Sequence, residues 1–144
     1  MFLGEYEHTI DNKGRLSIPA KFRPELEGGL IVTRGLGDYL LVFAPAEWQR
    51  FVDDMRKREM SLGESQTISR FVFAKASDCT LDKHGRTLIP PPLRQYAHLE
   101  TDVMVVGVNT HLEIWDRERW RAEEERVERE GLEVAEEQFR GLWI

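Results

Sequence analysis

With 144 residues, 41% of them hydrophobic, the chain can bury one modest core or two small coupled ones, which excludes a disordered protein. No run of about 18 apolar residues occurs, the start Met1-Phe2-Leu3-Gly4-Glu5 lacks the basic and apolar regions of a secretory signal, and a cytoplasmic protein without membrane contact is expected. The formal charge of −6 speaks against a nucleic-acid partner until it is divided, because residues 1–98 carry 14 Lys/Arg against 13 Asp/Glu while residues 99–144 carry 6 against 13.

Residues 5–10 alternate polar and apolar side chains, Asp11-Asn12-Lys13-Gly14 supplies turn chemistry, and residues 15–18 alternate again, the pattern of a β-hairpin. Pro19 ends that strand, and residues 20–26 have room for one or two helical turns before Gly28-Gly29. Residues 30–33 and 39–43 are rich in β-formers, and Gly35 and Gly37 between them suit a tight reversal. From 46 to 60, Trp48, Phe51, Val52 and Met55 fall at i, i+3, i+4 and i+7, one apolar helix face. That stripe serves either assembly or cover for the subunit's own sheet. Ser61-Leu62-Gly63 is expected to break the helix, and Ser65 to cap a second one through Phe73. In the second half, residues 79–81, 86–89, 103–106 and 112–115 are the strand candidates, with Pro90-Pro91-Pro92 stiffening one exit. Residues 116 to about 139 read as a third long helix, interrupted or bent at Gly131.

The second half follows the first because the sequence repeats. Asp11-Asn12-Lys13-Gly14-Arg15-Leu16-Ser17-Ile18-Pro19 returns as Asp82-Lys83-His84-Gly85-Arg86-Thr87-Leu88-Ile89-Pro90 at an offset of 71, and Gly35, Val42 and Trp48 return as Gly107, Ile114 and Trp120 at 72. The chain therefore divides into a first unit over 5–48, a helical connector over 49–76, a second unit over 77–120 and an acidic helix or tail over 121–144. The fold class is α+β and mainly β. Four-stranded units this small leave much of their surface wet, so interleaved hairpins around a pseudo-two-fold are expected to complete one shared β-structure.

Chemistry points to binding. His8, His84, His98 and His111 are scattered, no H-E-x-x-H, C-x-x-C or G-x-S-x-G occurs, and Cys79 and His84 lack a third ligand, so neither an enzyme nor a metal or cofactor is expected. An arginine that opens a strand beside a tight turn presents a planar fork suited to phosphate or guanine. Arg15 and Arg86 are the leading DNA-contact candidates, with Lys13, Lys83, Arg23 and Arg94 as electrostatic helpers. Asp11 and Asp82 are structural: each either accepts hydrogen bonds from following backbone N–H groups or pairs with its arginine, while Gly14 and Gly85 shape the turns.

The doubled Asp-x-x-Gly-Arg hairpins, their Ile-Pro exits and the tandem arrangement resemble the MraZ family of bacterial transcriptional regulators, built from two AbrB-like swapped-hairpin units. The likeness runs over nearly the whole chain. It implies a sequence-specific DNA-binding repressor, associated with the nucleoid, acting on double-stranded DNA at direct repeats upstream of the division and cell-wall gene cluster. It also implies a ring-shaped homo-oligomer, an octamer or larger. The family's Asp-x-x-x-Arg motif falls on Asp11 and Arg15, and again on Asp82 and Arg86. An antitoxin-like or nucleoid-associated DNA-binding module is the alternative.

Overall fold

A computed structural model of the chain describes residues 1–142. The first half runs β1 (Phe2–Thr9), β2 (Arg15–Ser17), a 3-10 turn over Ala20–Phe22, α1 (Arg23–Leu26), β3 (Leu30–Arg34) and β4 (Tyr39–Phe43). Two helices follow, α2 (Pro45–Arg56) and α3 (Leu62–Phe73). The order then repeats as β5 (Ser77–Cys79), β6 (Arg86–Leu88), α4 (Pro91–Tyr96), β7 (Asp102–Asn109) and β8 (Leu112–Asp116), and α5 (Arg117–Gln138) leaves the body.

Strand pairing crosses between the halves. A six-stranded antiparallel sheet has the order β1-β7-β8-β4-β3-β5, and β2 and β6 form a separate two-stranded ribbon. Exchanging every strand for its repeat counterpart leaves both orders unchanged, which is the pseudo-two-fold in topological form. The ribbon obeys the same symmetry, pairing Arg15 with Leu88, Leu16 with Thr87 and Ser17 with Arg86. The hairpin expected within residues 5–18 is consequently opened: one isolated bridge, Ile10 to Leu16, links its arms, while β1 lies along β7. Swapping lets both halves close over a single core, where two separate small sheets would each stay half wet.

Side-chain alternation divides the sheet into two covered faces. Val32, Leu40, Val42, Val103, Val105, Leu112 and Ile114 point to one side, where Leu16 of the ribbon and Phe22, Leu26, Leu93 and Ala97 of the short helical segments complete the buried cluster. Burying a side chain of this size contributes about 1.5–3 kcal/mol. The intervening residues point the other way. Met104, Val106 and Trp115 meet Trp120 of α5, and Phe43 lies tilted against Trp48 and stacked on Phe51 of α2, with centroids 5.6 and 5.0 Å away. The Thr33 hydroxyl donates to the Val72 carbonyl of α3 at 2.7 Å. The Trp48 stripe thus covers its own sheet, and the three long helices meet the face opposite the ribbon, α2 and α5 near their starts and α3 at its end.

Several boundaries differ from the sequence expectation, and three of them have a clear cause. Helix α3 begins at Leu62, because the Ser61 hydroxyl accepts from the Glu64 N–H at 3.1 Å while the Glu64 carboxylate accepts from the Ser61 N–H at 3.0 Å. That capping box makes Ser61-Leu62-Gly63 a start, not a stop. Helix α5 passes through Gly131 unbroken, held where Arg126 pairs with Glu123 and Glu130. Strand β5 lies over Ser77–Cys79, since its partner β3 sets the register through Leu30 opposite Cys79.

Candidate nucleic-acid interface

Each Asp-x-x-Gly-Arg segment folds into the same closed turn. Gly14 N–H donates to the Asp11 carbonyl at 3.0 Å and Gly85 N–H to that of Asp82 at 3.0 Å; Asp11 and Asp82 N–H donate to the carbonyls of Arg15 and Arg86 at 3.0 and 2.8 Å. Gly14 and Gly85 sit at φ +83° and +75°, left-handed backbone that other residues adopt only at a cost.

The aspartates fill both readings offered by the sequence. Oδ1 of Asp11 accepts from the backbone N–H groups of Lys13 and Arg15 at 2.9 and 3.0 Å, and its Oδ2 accepts from Arg15 Nε at 2.7 Å. Asp82 repeats this with His84 and Arg86 at 2.8 and 3.0 Å, and with Arg86 Nε at 2.9 Å. The Arg15 N–H, foremost among these donors, brings the Asp11 carboxyl down to about 2, and the Arg86 N–H likewise lowers that of Asp82. Both carboxylates therefore stay charged at neutral pH and fix the arginine they hold.

What remains of each arginine points outward. The Asp bond uses Nε, and no hydrogen bond ties the Nη groups among the described residues, with side chains 32% and 28% exposed. Directly opposite residues of an antiparallel pair share a face, as do residues two apart on one strand. Arg15, Ser17, Arg86 and Leu88 hence form the outer face of the ribbon, while Leu16 and Thr87 are buried beneath it. The two guanidinium groups stem from diagonal positions about 7–8 Å apart, one beside each turn. Lys13, Lys83 and His84 are exposed on the turns themselves.

Arg23 and Arg94 do something the sequence reading did not foresee. Arg23 Nε donates to the Ile18 carbonyl and Arg94 Nε to the Ile89 carbonyl, both at 2.9 Å, at the strand exits. Each guanidinium also lies against the other unit's turn: a Cβ on Gly14 would come within 2.9 Å of Arg94 Cζ, and one on Gly85 would overlap Arg23. Ile18 and Ile89 N–H reach in turn to the carbonyls of Gly85 and Gly14 at 2.9 Å. These two arginines are struts that lock each turn to the opposite half. The signal for them was present, since Ile18-Pro19 to Arg23 and Ile89-Pro90 to Arg94 are the same spacing repeated.

A rigid, outward ribbon with paired cationic forks can bind anions or hydrogen-bond acceptors in a row. The acidic α5 begins on the face of the sheet opposite the ribbon, where Trp120 packs on Met104, Val106 and Trp115.

Comparison with known proteins agrees with the duplication. The family model described as "MraZ protein, putative antitoxin-like" matches twice, over residues 1–71 and 72–140. A transcriptional regulator MraZ of Moorella thermoacetica is 46% identical over 120 residues, spanning 83% of this chain and 84% of that protein. One from Frankia alni is 44% identical over 142 residues, 99% of each, and one from Heliobacterium modesticaldum is 40% identical over 136 residues, 94% and 95%. With both copies of the motif matched over nearly the full length, the chain belongs to the MraZ family.

Proposed function

We propose that the protein is a sequence-specific DNA-binding transcriptional regulator, a repressor, with the β2·β6 ribbon as its reading head. One observation carries this reading: two arginine forks stand on one outward face, each braced by a charged aspartate and each left with free Nη donors. The relatives' shared name, transcriptional regulator, supports it. Arg15 and Arg86 contact bases or phosphates, Lys13 and Lys83 add phosphate contacts, and Asp11 and Asp82 orient the forks. Arg23 and Arg94 keep the turns rigid.

A single subunit neutralising roughly two to four phosphates binds weakly at physiological salt. Affinity therefore comes from assembly, a ring-shaped homo-oligomer of eight or more copies whose turns meet successive direct repeats upstream of the division and cell-wall genes in the nucleoid. Avidity of this kind adds about 10²–10⁴. Head-to-tail symmetry suits direct repeats better than a palindrome.

The test is a gel-shift titration of the fragment upstream of the protein's own gene at two salt concentrations. Arg15→Ala and Arg86→Ala remain folded and assembled and weaken binding by about tenfold or more. Arg15 is expected to be the costlier loss. Unchanged binding by the double variant refutes the reading head.

A further inference from the structure

We infer that Leu88 is a base-reading residue that takes the C5 methyl of a thymine, so that the two ends of the ribbon prefer different bases. This rests on the ribbon being the reading head.

The pseudo-symmetry that governs the ribbon's backbone fails on its outer face. At one end Arg15 stands opposite Leu88; at the other, Arg86 stands opposite Ser17. Leu88 is 55% exposed on the outer face that alternation assigns it, while Leu16 on the inner face is 0% exposed. Its backbone is fixed by the ladder to Arg15, and directly opposite side chains stand with Cβ atoms about 4.5–5.5 Å apart. DNA stacks a base pair every 3.4 Å or so along each strand. The leucine accordingly falls on the pair bound by Arg15 or the one beside it.

The major-groove edge of DNA offers one apolar group, the thymine methyl, and apolar side chains recognise thymine through it. Ser17, at the equivalent place, can donate to or accept from either base pair and imposes no such choice. A protein whose two halves are related by a pseudo-two-fold thus acquires a base preference at one end of its ribbon and not the other, the direction along the DNA that a direct repeat requires.

The experiment uses the full-length protein and DNA enriched by it from a random library. Each thymine of the enriched site is replaced in turn by deoxyuridine, which removes the methyl and leaves the pairing unchanged, and affinity is read by fluorescence anisotropy. For wild type, one position per repeat loses about fourfold, the value of one buried methyl-sized group. Leu88→Ala shows a loss of that order on thymine DNA and no further loss on deoxyuridine at that position, a non-additive cycle. Ser17→Leu gains a second deoxyuridine-sensitive position.

Equal sensitivity of wild type and Leu88→Ala at every thymine overturns the inference. So does a Leu88→Ala protein whose mass by light scattering falls while its deoxyuridine pattern is kept, because the leucine then covers a neighbouring copy. Failure of the reading head itself looks different: wild type enriches no more sequence than the Arg15→Ala, Arg86→Ala double variant.

Discussion

At the scale of single residues, the two aspartates decide whether the arginines are useful. Nη donors on a freely rotating side chain would lose conformational entropy on binding, whereas Arg15 is already held by the 2.7 Å bond from its Nε to Asp11. Asp11→Asn keeps an acceptor for the backbone N–H groups but gives up the charged partner of the guanidinium. The turn should survive, since Gly14 and Arg15 still close it through the main chain. DNA affinity should fall by about three- to tenfold, less than in Arg15→Ala, when measured by anisotropy at fixed salt. The acid limb of stability gives an independent check. Folding lowers the Asp11 carboxyl from its ordinary 3.8 to about 2, so its stabilisation is complete above pH 3.8 and is lost as pH falls through about 2. Thermal unfolding of wild type against pH should therefore steepen between those values, and the Asp11→Asn curve should be flatter there. Identical slopes would mean that the carboxylate is as free in the folded chain as in the unfolded one.

Among the elements, local chemistry and, through the duplication, the interleaving of the halves were legible, while the register of each strand pair was not. Turns, short strands and the order of both halves follow from Gly14, Pro19 and the alternation around them, because those signals act within a few residues. Which residue lies opposite which depends on contacts about a hundred residues apart, as between Phe2 and Asn109, and alternation carries no such address. For the same reason the sequence placed Arg15 and Arg86 on turns but not on one face, and read Arg23 and Arg94 as electrostatic helpers without seeing that each guanidinium braces the other unit's turn. One glycine pair marks the β1·β7 seam. Gly4 stands opposite Gly107, and a Cβ on Gly107 would come within 2.6 Å of the backbone at Phe2 and Leu3. Backbone cannot rotate aside as a side chain does. Gly107→Ala should therefore splay β1 from β7, cost about 1–3 kcal/mol and lower the unfolding midpoint. It should also raise amide exchange along β1 before the ribbon is affected. Full protection of β1 in the variant would show that the seam tolerates the extra carbon.

For the whole molecule, swapping implies that neither half is complete. Residues 1–76 hold β1 to β4 with α2 and α3, but all four strands lose a partner of the intact chain: β1 loses β7, β2 loses β6, β3 loses β5 and β4 loses β8. Left single, such a fragment exposes the inner face of its sheet, and so small a unit cannot offset the entropy of ordering itself. A second copy repairs each loss by the pseudo-symmetry already present: β1 can lie on β3 of the other copy, β2 on β2, and β4 on β4. The fragment should accordingly fold only as a homodimer, with light scattering giving twice its chain mass and a thermal midpoint that rises with concentration. Such a dimer carries Arg15 at both ends of its ribbon and Ser17 in place of Leu88, and it lacks the acidic α5. It should still bind DNA, more weakly than the assembled protein and with no deoxyuridine-sensitive position, which separates affinity from direction. A monomeric fragment retaining the full strand signal in circular dichroism would contradict the argument, because each half could then satisfy its own strand edges and the exchange between halves would have no energetic cause.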